Sequence, residues 1–154
     1  MLTAQDNASL VRAHYDIFNL RDLDKAVAMV SDTVNWTNVP FDMSFHGQAG
    51  YRQFLENWTT GMPDAKIEIV NMIVGEEWIA VECIGRGTHD GPLVAPNGTI
   101  DPTHRKIELK FCDLHRVIDG QITEGRTYFD GTSLMRQLGL GSPTPASNAV
   151  PTLS

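Results

Sequence analysis

Two ionisable side chains, Asp113 and His115, lie within "FCDLHRVIDGQITEGRTYFD" (residues 111–130), a stretch patterned like strands reaching into a core. The residues before them alternate cleanly, with Ile107, Leu109 and Phe111 on one face and Lys106, Glu108 and Lys110 on the other. Continued parity carries Asp113 and His115 onto the apolar face; a bulge would turn them away from it. An ionised carboxylate there is costly, so it must raise its pKa or find donors. A neutral carboxylic acid aimed into a cavity is itself a hydrogen-bond donor. The other reading is a buried aspartate satisfied by backbone groups.

The turn signal Asp119-Gly120 leaves two hairpin registers open. A two-residue loop sets Asp113 opposite Arg126, as an ordinary ion pair. A three-residue loop sets it opposite Gly125 and diagonal to Thr127, with Phe129 on the face of Leu109 and Phe111. The second register suits burial better. His115 is nearer the turn, and its expected place is the rim.

Other side chains could join this pair. Tyr15 falls on a helical stripe with Leu10, Val11 and Phe18, and is either a core tyrosine or a hydroxyl aimed at a ligand. Trp36 and Asn38 share a strand face, and a buried Asn38 needs a partner that a water or ligand would supply. His46 precedes Gly47 in a turn, a surface, capping or site position. His89 ends a strand with the parity of Cys83 and Gly85, at the mouth of any pocket that face lines. The five histidines lack the paired spacing of metal ligands, so no metal is expected. "GRGTHDG" lacks the strand-to-helix context of a phosphate loop, so no nucleotide and no other cofactor is expected.

The elements that must position these groups follow from periodicity. One helix carries the Tyr15 stripe and is capped by Asn7 or Ser9; a short one runs from Leu23 to Met29 with Asp22 as cap. "TVNWTNVP" is strand-like, and a third helix after Gly47 carries Tyr51, Phe54, Leu55 and Trp58. The period then changes. Two strands cross a turn near Gly75 to Glu77, "GPLVAPNGTIDPT" reads as a loop, and residues 104–118 and 121–130 are strands. "GTSLMRQLGLG" closes as a turn of helix. Helices first and a meandering sheet afterwards give an α+β class. Residues 1–140 form the domain, and 141–154 read as a mobile C-terminal tail.

Composition narrows the setting. Hydrophobic residues make up 42% and charged residues 20%, as in globular domains. A net charge of -7 argues against nucleic acid or an anionic membrane as partner. The N-terminus lacks a signal-peptide pattern, and no apolar run approaches the roughly 20 residues of a membrane span. Cys83 and Cys112 are too few for a disulfide scaffold, so a cytoplasmic protein is expected.

From about Leu10 to Gly139, the order of helix, "FNLRDLDKAVAMVSD", strand, "HG" plus helix, and a hairpin sheet ending in "RVIDGQITEGRTYFDGTSLMRQLG" resembles the SnoaL-like branch of the NTF2-like superfamily. The resemblance implies an NTF2-like cone, with a curved antiparallel sheet and three N-terminal helices enclosing an apolar pocket. Relatives include polyketide cyclases, ketosteroid isomerases and limonene-epoxide hydrolases, besides proteins with no catalysis. The isomerases' oxyanion-hole tyrosine and protonated aspartate fall on Tyr15 and Asp113. Their base falls on Asn38, an amide that accepts no proton. The epoxide hydrolases' Asp-Arg-Asp set falls on Cys83, Gly85 and Thr127 and is lost, so epoxide hydrolysis is not expected. Their water-holding asparagine matches Asn38, with Trp36 beside it. The cyclases' acid/base aspartate also falls on Thr127.

What the resemblance implies is an enzyme acting on an apolar carbonyl-containing small molecule by enol or enolate chemistry, as an isomerase or aldol-type cyclase. Tyr15 and Asp113 would bind the oxyanion and His89 would move the proton. Trp36, Asn38, His46, Thr127 and Phe129 would hold the substrate. Its alternative is a non-catalytic small-ligand-binding or dimerisation module. Similar proteins imply a homodimer.

Overall fold

The computed structural model describes residues 2–141; the remainder of the expected tail lies outside the described residues. Helix α1 (Ala4–Asn19) starts earlier than Asn7 or Ser9 would set it, because Thr3 and Asp6 form a reciprocal capping box. Asn7 is buried instead, and its amide donates to the Glu76 carbonyl. Asp22 caps α2 (Leu23–Ala28) through the Lys25 amide, as its position predicts.

Strand β1 (Val30–Asn38) turns through a left-handed Asp42 into β2 (Met43–His46), a strand too short to show a period in the sequence. Helix α3 (Gly47–Gly61) follows, then β3 (Lys66–Val74) and β4 (Trp78–Thr88). The stretch read as a loop contains a small hairpin, β5 (Leu93–Ala95) and β6 (Gly98–Ile100). Strands β7 (Lys106–Ile118) and β8 (Gln121–Phe129) form the long hairpin, and Asp130 caps the closing helix α4 (Gly131–Gln137).

Six strands form one curved, unclosed sheet in the order β2-β1-β8-β7-β4-β3. Its pairs are antiparallel except β1 with β8, which run parallel. Val11, Tyr15 and Phe18 of α1 and Tyr51, Phe54 and Leu55 of α3 join Val34, Trp36, Ile79 and Val81 in one apolar cluster. A second cluster, with Phe41, Met62, Leu93, Ile107, Leu109 and Leu134, extends the core beside it. Among the described residues, no helix is long and apolar enough to cross a membrane.

The long hairpin matches neither expected register. Asp119 and Gly120 are both left-handed (φ 51° and 76°), as a tight two-residue turn requires, and Ile118 faces Gln121. A bulge at Thr123 then advances β8 by one residue. Asp113 therefore faces Thr127, His115 faces Gly125 and Phe111 faces Phe129. The short turn excludes the three-residue loop, and the bulge removes the Arg126 pairing.

Candidate active site

An aromatic cavity lies between the sheet and helices α1 and α3, with an empty volume of about 760 Å3, part of it open to solvent. Tyr15, Phe18, Trp36, Tyr51, Phe54, Trp58, Phe111 and Phe129 supply its aromatic wall, and Leu55, Met62, Ile67, Ile107 and Leu109 add aliphatic surface. Its inner polar groups are His14, Asp113 and Thr127, while exposed Lys66 and Arg86 line its outer part.

Two phenol–imidazole pairs stand at its inner end. The Tyr15 hydroxyl lies 2.6 Å from Asp113 Oδ2 and 2.7 Å from His115 Nε2. The Tyr51 hydroxyl lies 3.0 Å from His14 Nε2. The Trp36 indole N–H donates to Thr127 Oγ1 at 3.0 Å, which holds the indole against the strand carrying the threonine. Asp113 Oδ1, His14 Nδ1 and His115 Nδ1 are buried and have no partner among the described residues.

Burial sets the charge states. It pushes Asp113 up to about 6, against the opposing pull of the Tyr15 hydrogen bond and of the nearby Thr127 hydroxyl. It pushes His14 down to about 4, and His115 well below its ordinary 6.5, with His14 adding to the latter. Both tyrosines are held well above 10, by burial first and by the Asp113 charge second. At neutral pH the inner cavity therefore holds one neutral imidazole, two neutral phenols and one carboxylate without a cationic partner, with neutral His115 behind Tyr15.

Tyr15 makes that carboxylate tolerable. With Asp113 ionised, the phenol donates to Oδ2 and accepts from His115 Nε2–H; 2.6 Å is the length of a charge-assisted O–H···O bond. With Asp113 protonated on its unpartnered Oδ1, Oδ2 still accepts from Tyr15 and the phenol oxygen still accepts from His115. Both hydrogen bonds survive the change, so Asp113 can change protonation state without disturbing this chain.

The structure brings Tyr15 and Asp113 together and places Trp36, Thr127 and Phe129 in the same wall. Other expected site residues lie elsewhere. Asn38 is buried but outside the cavity lining, its Oδ1 accepting from the Phe41 amide at 3.2 Å to close the β1–β2 turn. His46 is exposed at the start of α3 and makes no capping bond. His89 is fully buried but does not line the cavity; its Nδ1 accepts from the Thr103 amide at 3.1 Å and sits 2.9 Å from the Thr103 hydroxyl. Its Nδ1 is thus engaged by Thr103, and its Nε2 has no partner among the described residues. His115 is not at the rim: it is buried behind Tyr15 and does not line the cavity. His14 and Tyr51 are the groups that sequence reasoning missed, and their only signal was a polar atom on the apolar stripe of α1 or α3.

A model of the SnoaL-like polyketide cyclase family matches residues 8–138, and the chain belongs to that family. Its fold is shared by AclR, a candidate hydroxylase from Streptomyces galilaeus (18% identity, TM-score 0.77, 94% of this chain and 88% of that one covered). It is shared also by IdmH, a candidate polyketide cyclase from Streptomyces antibioticus (21%, 0.71, 86% and 97%). A third match is SalBIII, described as an epoxide hydrolase/cyclase-like enzyme in pyran ring formation in the polyether salinomycin (19%, 0.70, 84% and 94%). No curated protein is significantly similar in sequence.

Proposed function

We propose that this protein moves a proton on an apolar carbonyl-containing small molecule through an enol or enolate, as an isomerase or an aldol-type cyclase. The observation that carries the reading is Asp113: a buried carboxyl in an aromatic cavity, with one oxygen held by Tyr15 and the other unpartnered. Membership of the SnoaL-like family and the cyclase descriptions of IdmH and SalBIII support it. Asp113, rather than the distant His89, is then the base. Its ionised form takes the α-proton of the substrate onto Oδ1, leaving an enolate and a neutral carboxylic acid. In an isomerase the same proton returns to another carbon. In an aldol closure the enolate attacks a second carbonyl, and the resulting alkoxide takes the proton back. A pKa of about 6 suits both directions near neutral pH.

The test is exchange of α-protons in a panel of apolar enones and β-dicarbonyls, followed by NMR in deuterated buffer. Wild type should accelerate exchange for some members, and Asp113→Asn should abolish the acceleration. No acceleration by wild type for any member would leave the second reading, a ligand-binding module without turnover, which the largely apolar wall favours.

Residues 1–140 are the proposed working unit, paired with a second copy of itself. Support for pairing comes from the outer sheet face, where exposed Val70 and Tyr128 flank the partly buried Ile84 and Cys112. Both cysteines are free, which suits a cytoplasmic setting.

A further inference from the structure

In the state in which Asp113 acts as base, Tyr15 has nothing left to offer a ligand. Its one proton goes to Asp113 Oδ2, and its oxygen accepts from His115 Nε2–H. The hydroxyl is spent on stabilising the carboxylate. An enolate oxygen forming in the cavity needs a different donor.

Tyr51 is placed to be that donor. Its ring lines the cavity, and among the described residues its hydroxyl has one hydrogen-bond partner, His14 Nε2 at 3.0 Å. Two arrangements satisfy that contact. With the imidazole proton on Nδ1, Tyr51 donates inward to Nε2 and an Nδ1–H is orphaned among the rings of Tyr15 and His115, whose centroids are 5.9 and 6.2 Å from that of His14. A buried N–H without an acceptor is the rarer and costlier kind of unpaired group. With the proton on Nε2, His14 donates to the Tyr51 oxygen, Nδ1 is a bare lone pair, and the phenol proton is free to meet a ligand. The second arrangement leaves no orphaned donor once a carbonyl oxygen is present.

We propose that Tyr51 supplies the hydrogen bond to the developing enolate oxygen, and that His14 is the positioning residue that frees its proton. The proposal rests on the reading of Asp113 as base. It reassigns the two partners suggested by the family resemblance: Tyr15 and Asp113 form the basic arm, and Tyr51 with His14 forms the oxyanion arm. As the α-proton moves to Asp113, negative charge leaves the Tyr15 side and collects on the substrate oxygen, so the Tyr51 bond strengthens in the transition state. Burial keeps His14 neutral, and Asp113 resists ionisation of Tyr51, so the donor keeps its proton.

The experiment uses substituted phenols of graded acidity as enolate mimics, titrated at pH 7.5 with the ionised fraction read from absorbance, and naphthalene as a control for the intact cavity. For wild type, affinity should rise with phenol acidity as the proton passes to Asp113. Tyr51→Phe should weaken the most acidic phenols roughly ten- to hundredfold and flatten that dependence, leaving naphthalene unchanged. His14→Gln, whose amide N–H can donate to the Tyr51 oxygen, should keep the dependence, and His14→Leu should lose it. Tyr15→Phe should preserve it. Loss of the dependence in Tyr15→Phe with its survival in Tyr51→Phe would overturn the proposal and leave the Asp113 reading standing. Equal behaviour of His14→Gln and His14→Leu would remove the positioning role. No acidity dependence in wild type would remove both the proposal and the reading beneath it.

Discussion

Trp36 and Gly125 are partners across the parallel β1–β8 pair, and a Cβ on Gly125 would stand 2.0 Å from Trp36 Cζ3. The indole occupies the space a side chain would need. It also packs on His115, with ring centroids 5.0 Å apart, and His115 faces Gly125 from β7. One missing side chain thus lets a tryptophan reach the histidine that bonds Tyr15. Trp36 is fully buried and tied to Thr127, so moving aside into the cavity costs it that hydrogen bond. Gly125→Ala should destabilise the protein by about 1–3 kcal/mol through overpacking. Urea unfolding should show a lower midpoint at unchanged slope; an unchanged midpoint would mean that the indole is free to shift.

The Asp113 carboxyl gives the reaction a defined pH profile. A base must be ionised to act, and burial holds this one at about 6. The proposed kcat/KM should therefore rise with pH to a plateau, with its midpoint near 6. Tyr15 opposes the burial effect by donating to the ionised form, so Tyr15→Phe should move the midpoint upward. A profile that is flat from pH 5 to 8, or one that Tyr15→Phe moves downward, contradicts this assignment.

Proton exchange on carbon supplies a separate prediction for Asp113→Asn. The amide keeps the size of the side chain and an acceptor for Tyr15, but it accepts no proton at Oδ1. Turnover should fall by at least about a hundredfold, the usual scale of a general base. Affinity for a neutral apolar ligand such as naphthalene should stay within twofold. Parallel loss of both would indicate a collapsed cavity rather than a missing base.

Periodicity made the long elements legible. The α1 and α3 stripes and the alternation at Ile107, Leu109 and Phe111 record one-sided burial, which local sequence carries directly. Strands β2, β5 and β6 have only three or four residues each, too few for any period to show. The parallel contact of Trp36 with Gly125 joins residues far apart in the chain, and nothing near either one announces it. Parity likewise carries Asp113 to the inner face without naming its partners, because a bulge at Thr123 decides what stands opposite. Parity also misleads at His89, which shares the alternation of Cys83 and Gly85 but is drawn to Thr103 at the strand's end. The His14–Tyr51 bond depends on how α1 lies against α3, a tertiary fact that neither stripe contains.

Acid stability should expose the buried histidines. His14 falls from 6.5 to about 4 on folding, and His115 falls well below 6.5, so the unfolded chain binds more protons than the folded one in this range. Each therefore contributes stability that is present above 6.5 and lost as pH falls toward its folded value. For His14 alone the loss over that window is about 3 kcal/mol. Asp113 acts with the opposite sign: its folded pKa is raised from 3.8 to about 6, so it contributes stability present below 3.8 and lost as pH rises through 6. His89, which burial also lowers, acts with the same sign, so three histidines oppose one aspartate and the net stability of wild type should fall as pH drops from 6.5 to 4. His14→Gln should make that slope shallower by up to about 1.4 kcal/mol per pH unit, the value for one proton. Asp113→Asn should make it steeper and should stabilise the protein above pH 7. Chemical denaturation at half-unit steps from pH 4 to 8 measures all three slopes. A wild-type stability that is constant across this range, with the same slope in His14→Gln, would show that His14 keeps its ordinary pKa on folding, so that burial does not hold it neutral below pH 6.5.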